Sequence, residues 1–301
     1  MISKKLIDQL RVKPGKKVNL NDFDPGWAQT SELKDVGKET VRQKAAEMLE
    51  ANKVELAKAQ ELLWATDIHS VLIVLQAMDA AGKDGIIKHV MSGLNPQGCQ
   101  VNSFRKPSAE DTDHNFLWRY MRRLPERGQI GIFNRSYYED VLIVKVHPKL
   151  LELQQLPPGK RGDGFWQKRY EDINAFEHHL VRNGTLVLKF FLHISKSEQK
   201  ERFLERLDNP DKHWKFSEAD LAERGHWDDY QTAFEDAFGA TSTKWAPWYV
   251  IPANHKWVSR TVIADILTSS IQALDLEFPK VSEEKQIKLA EAKQQLEQEE
   301  T

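Results

Sequence analysis

The run Ala77-Met-Asp-Ala-Ala-Gly-Lys-Asp-Gly85 has the residue types and spacing needed to hold a phosphate group and to move it. Gly82 has no Cβ to keep the backbone away from an anion, and unpaired amides at the start of a helix point at phosphate. Ala80, Ala81, Asp84 and Gly85 complete the expected phosphate cradle. Lys83 supplies a mobile charge for a phosphoryl group in flight, and Asp79 a carboxylate inside the loop. The match to GxxxxGK[ST] is imperfect: Ala77 stands at the first glycine, and Asp84 replaces the Ser or Thr that usually meets magnesium. An ordinary strand–turn–helix corner would also carry Gly-Lys, but the apolar run before the loop and the extra carboxylates weigh against it.

A second junction reads Gly131-Ile-Phe-Asn-Arg-Ser-Tyr-Tyr-Glu-Asp140. In phosphate-loop enzymes the neighbouring strand usually ends in a carboxylate that orders magnesium. Here Asn134 holds that place, followed by Arg135, Tyr137, Tyr138, Glu139 and Asp140. Solvated charges at a strand end would look the same in isolation.

Both motifs need strands to present them. Residues 70–78 read as a strand whose centre, 71–75, is an unbroken Val/Leu/Ile run suited to a parallel strand buried on both faces. Helical patterning at 38–64 precedes it. After it come a helix at 83–93, a short strand near 99–104, a helix at 111–124 and a strand at 129–133. Helical stretches follow at 136–146 and 165–182, then a strand at 185–194 and a helix at 196–207. Residues 209–240 read as helical, 248–252 as a last short strand and 257–274 as a last core helix. Strands separated by helix-length segments indicate a parallel α/β sheet covered on both faces. Three regions are expected: an N-terminal arm and helix over 1–68, a core over 69–275, and a charged tail over 276–301. The arm packs through Leu20, Phe23 and Trp27, and the tail reads as a solvated helix or frayed end.

Composition excludes several classes. Lys+Arg is 43 against Asp+Glu 45, a net charge of -2, so no general basic field advertises nucleic acid. A polyanion must therefore meet a local basic groove. One cysteine, Cys99, permits neither an internal disulfide nor a CxxC metal site, which fits a reduced, cytoplasmic setting. No apolar run approaches the roughly 20 residues that cross a bilayer, so no membrane association is expected.

Asp79-Ala-Ala-Gly-Lys-Asp-Gly85, Asn134-Arg-Ser-Tyr-Tyr-Glu-Asp140 and Phe190-Phe-Leu-His-Ile-Ser-Lys-Ser-Glu-Gln199 together resemble the family-2 polyphosphate kinases, over about residues 35–274. The resemblance implies a P-loop kinase fold similar to thymidylate kinase, with a parallel five-stranded sheet, flanking helices and a helical lid at about 208–243. It implies reversible phosphate transfer between polyphosphate and nucleotides with magnesium, or manganese in its place. Its phosphate-loop positions fall on Asp79, Gly82 and Lys83, and its second motif on Asn134 and Arg135. This version of the second motif looks like the branch that phosphorylates AMP, and often ADP. Asn134 is a poorer ligand than a carboxylate, which puts Asp79 first among metal ligands, with Asn134, Glu139 and Asp140 as helpers. Nucleotide contacts are expected from Asn134, Tyr137, Tyr138, Glu139 and, by stacking, Trp214. A homo-oligomer is expected as well.

Polyphosphate needs cations in a track. Candidates flank the strand ends: Arg105 and Lys106, then Arg122 and Arg123, then Arg135 and Lys145, then Lys196, Arg202 and Arg206. Arg202 and Arg206 lie four apart on one helix face, as a lid clamp would require, with Arg202 expected at the chemistry. Two other readings stand beside this one: an ATP-dependent nucleoside or nucleotide kinase on the same scaffold, and a phosphate-loop module that binds without catalysing.

Overall fold

The segment before the first long helix is more structured than an extended arm. A computed structural model describes residues 2–26 and 37–299, and it opens with α1 (Lys4–Leu10), capped by the Ser3 side chain. Arg11 then bridges antiparallel to Tyr249, and the Val12 amide donates to the Trp248 carbonyl at 2.9 Å. Val12, Val18 and Leu20 are buried and Phe23 packs beside them, whereas Trp27 lies outside the described residues. Next, α2 (Lys38–Thr66) buries Val41, Ala45, Leu56 and Leu63 along one stripe.

The stretch around the Val/Leu/Ile run becomes β1 (Ser70–Ala77), with Val71 through Leu75 fully buried. It leads through the loop into α3 (Lys83–Val90), which is followed by β2 (Cys99–Ser103). The helix expected at 111–124 is instead two single turns, α4 (Ala109–Thr112) and α5 (Trp118–Met121). Between them the Asn115 side chain accepts the Leu117 amide at 3.1 Å, a local bond that competes with continued helix. After β3 (Ile130–Asn134), the stretch expected to be helical is a 3₁₀ turn at Tyr137–Val141, then α6 (Ile143–Val146) and α7 (Lys149–Glu152). The 20-residue α8 (Asp163–Arg182) leads into β4 (Thr185–His193) and α9 (Lys196–Asp208). The region after α9 is broken by side-chain caps at Asn209 and Ser217 into a 3₁₀ turn at Pro210–Lys215, α10 (Glu218–Gly225) and α11 (Trp227–Thr241). β5 (Trp248–Pro252), α12 (Lys256–Gln272) and the fully exposed α13 (Glu283–Gln298) finish the chain.

The five strands are parallel in the order β2-β3-β1-β4-β5. β1 is central, with Ile73 opposite Ile132 of β3 and Leu188 of β4. The chain leaves β1 for β2 and β3 on one side, then crosses to β4 and β5 on the other. The connections therefore diverge at the carboxyl end of β1, the place where ligands of such sheets bind. α12 packs on α2 and α3, and α8 packs on β4 and α11.

A lysine inside an apolar strand gave no sign of its partners in the sequence. Lys189 of β4 pairs with Glu177 of α8 at 2.6 Å, with both side chains wholly buried. Tyr137 and Tyr138 donate to Glu177 Oε1 at 2.8 and 2.9 Å, and Lys189 donates to the Tyr138 hydroxyl and the Thr241 carbonyl. Every charge there has a partner, which a buried ion requires. Among the described residues no helix is long and apolar enough to cross a membrane.

Candidate active site

The loop after β1 is bent by two residues with positive φ, Ala80 at 63° and Gly82 at 112°. That conformation costs an alanine about 1–2 kcal/mol and a glycine little. A Cβ on Gly82 would meet nothing closer than 3.7 Å, so its glycine answers to backbone angle and not to space. Gly82 caps α3, and the first helical bond runs from the Ile86 amide to the Gly82 carbonyl at 3.1 Å. The amides of Lys83, Asp84 and Gly85 precede that bond and have no partner within the helix. Amides so placed at a helix start are suited to an anion.

Lys83 reaches back to donate to the Ala77 carbonyl at 3.1 Å. Burial, and next the Arg135 charge, lower its pKa, while Asp79, Glu139 and Asp84 oppose them. Arg135, itself at φ 66°, lies 3.0 Å from Asp79 and 3.7 Å from Glu139. Glu139 and then Asp79 raise its pKa against the effect of burial. Gln76 fixes the other Glu139 oxygen at 3.1 Å, and Asn134 donates to Asp84 Oδ1 at 2.9 Å. Residues from two stretches of the chain thus meet at the carboxyl end of the sheet: Asp79, Lys83 and Asp84, with Asn134, Arg135 and Glu139.

Several expected site residues are elsewhere. Tyr137 and Tyr138 are fully buried on Glu177 and cannot touch a nucleotide; they anchor the turn that carries Arg135 and Glu139. Asp140 is no helper to a metal. It turns into the core, where it accepts from Tyr120 at 3.2 Å and from Gln154 at 2.7 Å, and burial pushes its pKa up to about 6. Arg202 is buried beneath the loop with its guanidinium fully engaged, so it does not close over a phosphate chain. Arg206 pairs with Asp220 at 3.8 Å and lies over Phe203. The two arginines therefore form no clamp. Lys145 is tied to Asp236 at 2.6 Å.

Arg105 and Lys106 follow β2 at the same sheet edge as the loop and are exposed. Arg122 and Arg123 are exposed too, with Arg122 over the Trp118 ring at 4.7 Å and 3.7 Å from Glu110. Lys196 is exposed at the start of α9, and Trp214 is 78% exposed on its 3₁₀ turn. Sequence reasoning missed Gln199, Asp220, Arg224 and Tyr230, all set around the loop by α9, α10 and α11. Asp220 and Tyr230 lie within electrostatic reach of Asp79 and Arg135. Gln199 closes the third motif, which gave it no role, and nothing in the local sequence of the other three marks them.

The donors around Lys83 are oxygens. Asp79, Asp84 and Glu139 are hard ligands that suit magnesium or manganese better than a sulfur- or imidazole-binding metal. Among the described residues no group of three or more His, Cys, Asp or Glu could cage an ion. Magnesium held by one or two carboxylates plus substrate phosphates needs no such cage, so the residues fit the ion.

The family model for polyphosphate kinase 2 matches residues 39–279. The chain is 47% identical to the ADP-polyphosphate phosphotransferase of Rhodopseudomonas palustris over 293 residues, 96% of this chain and 97% of that protein. It is 47% identical to the AMP/ADP-polyphosphate phosphotransferase of Meiothermus ruber over 269 residues, 89% of this chain and 94% of that one. The crystal structure of polyphosphate kinase 2 from Arthrobacter aurescens TC1 aligns with a TM-score of 0.82 at 39% identity, covering 94% of this chain and 95% of that one. Fold, loop and sequence agree over nearly the whole length, and the chain belongs to the polyphosphate kinase 2 family of phosphotransferases.

Proposed function

We propose that this enzyme transfers phosphoryl groups reversibly between inorganic polyphosphate and adenine nucleotides, converting AMP to ADP and ADP to ATP. One observation carries the reading: Lys83 opens a helix with free amides and stands among Asp79, Asp84, Arg135 and Glu139. In-line transfer needs positioning and charge neutralisation more than covalent chemistry. The amides of residues 83–85 hold the phosphate, and Lys83 follows the charge on the group in transit. Arg135 steadies Asp79 and Glu139 and faces the developing negative charge. Magnesium, or manganese, on Asp79 with Glu139 and Asp84 would neutralise adjacent phosphate oxygens. The acceptor range comes from the second motif and from the names of the two relatives described above.

Finer features belong to the same proposal. The fold is read as a P-loop kinase of the thymidylate-kinase kind, with a lid at about 208–243. Arg105, Lys106, Arg122, Arg123 and Lys196 form the polyphosphate track, and Trp214 is offered for base stacking. A cytoplasmic homo-oligomer is the expected working form. Incubation with polyphosphate, magnesium and each of AMP, ADP, GMP and GDP, followed by product separation, tests the reading. AMP should yield ADP and then ATP with no ATP added. Turnover with ATP as the only donor would establish the conventional kinase instead, and an inert AMP beside a reactive ADP would remove AMP as acceptor.

A further inference from the structure

A phosphate loop can aim its amides at a ligand only if its carbonyls are held the other way. Here three successive loop carbonyls are held by side chains of α9. Gln199 Nε2 donates to the Asp79 carbonyl at 3.0 Å, and Arg202 Nη1 donates to those of Ala80 and Ala81 at 3.0 and 2.8 Å. Arg202 is itself immobilised, with Nη2 on the Ala253 and Asn254 carbonyls at 2.6 and 3.0 Å and Nε on Glu198 at 2.8 Å.

Gln199 is held differently. Its side chain is an amide with a donor end and an acceptor end, and a half-turn would set oxygen against oxygen at Asp79. What prevents this is Arg224 of α10, whose Nη1 donates to Gln199 Oε1 and to the Lys196 carbonyl, both at 2.8 Å. Arginine only donates and a carbonyl only accepts, so the two partners together force the orientation of the amide. Gln199 is 1% exposed, which leaves little room for water to replace either bond.

We propose that Gln199 and Arg224 are positioning residues, a relay by which docked α10 sets the geometry of the phosphate loop. Neither residue needs to touch substrate. The chain of bonds runs from the Arg224 guanidinium through the Gln199 amide to the Asp79 carbonyl, next to the carboxylate that faces Arg135. The idea rests on the phosphotransfer reading of the loop, and two readouts keep the two separable.

The first is a double-mutant cycle on kcat with polyphosphate and ADP saturating. Arg224→Ala and Gln199→Ala should each lower kcat about tenfold or more, and the double variant should fall no further than Gln199→Ala alone. Gln199→Glu should fail as badly, because it keeps an oxygen for Arg224 and loses the donor for Asp79. Arg224→Lys, which retains a donor, should recover most of the activity. Losses that multiply in the double variant, an Arg224→Ala enzyme within twofold of wild type, or kcat losses matched by a falling unfolding temperature would each overturn the relay. The second readout is hydrogen exchange in peptides spanning residues 78–86, which needs no turnover. Arg224→Ala should speed exchange there about tenfold while the β1 core stays protected, and unchanged exchange rejects the relay. An inactive wild type would instead reject the phosphotransfer reading.

Discussion

Lys83 and Arg135 are stationed by backbone, one at the first turn of α3 and the other in a left-handed conformation at the end of β3. Lys83→Met removes a charge from a partly buried helix start and leaves the apolar core intact. Turnover should drop by a factor equivalent to ~3 kcal/mol or more, with the unfolding midpoint unchanged. A variant within tenfold of wild type would show that the phosphoryl group passes elsewhere. Two buried residues set opposite pH responses. Burial pulls His193 down to about 4, so below its ordinary 6.5 the unfolded chain takes a proton that the folded one refuses. Its contribution to stability is present above 6.5 and lost as pH falls through 4. Burial, opposed by Arg169, pushes Asp140 up to about 6, so its contribution is present below 3.8 and lost as pH rises through 6. Urea unfolding from about pH 4 to about pH 7 can read both against variants. On acidification the stability of wild type minus His193→Gln should fall, and that of wild type minus Asp140→Asn should rise. Flat differences would reject these assignments.

The turn after β3 holds its shape through elements far from the chemistry. Tyr137 and Tyr138 tie it to α8, and Lys189 ties α8 to β4 and to the end of α11. Removing one member of a buried pair strands the other charge, at a cost of about 3–5 kcal/mol. Glu177→Leu should therefore lower the denaturant midpoint strongly, and turnover with it, because the Arg135–Glu139 turn loses its anchor. Glu177→Leu combined with Lys189→Met removes both charges and should be more stable than Glu177→Leu alone. A single variant within about 0.5 kcal/mol of wild type would mean that the pair contributes nothing.

Two ends of the molecule contrast in what they cover. Residues 2–26 lie against the β5 edge through Val12 and bury Val12, Val18 and Leu20, with Leu20 held further by Glu235 at 2.7 Å. Deleting them exposes a strand edge and apolar surface, which should cost about 3 kcal/mol or more and promote association. The helix α13 buries nothing, and Ile287, Leu289 and Leu296 are all exposed. Ending the chain at residue 280 should leave turnover and unfolding temperature unchanged. A measured loss on that truncation would reveal that α13 has a partner, and an unchanged midpoint without residues 2–26 would show that the β5 edge needs no cover.

The Val71–Leu75 run of β1 and the Gly-Lys after it were enough, read in order, to place a buried parallel strand, a glycine-bent loop and a helix start. Those features depend on neighbours a few residues apart, which a linear reading sees. The expected helix at 111–124 failed because a local Asn115 bond outcompeted its pattern. Direction was the larger gap. Spacing puts Arg202 and Arg206 on one helix face, but not what that face meets. Arg202 meets carbonyls 122 and 121 residues back in the chain, Gln199 meets one 120 residues back, and Tyr138 meets Glu177 across 39 residues. Which side chains reach a ligand and which hold the loop that reaches it was therefore decided by tertiary packing, since burial and partner are properties of the assembled sheet and helices and not of any short stretch of chain.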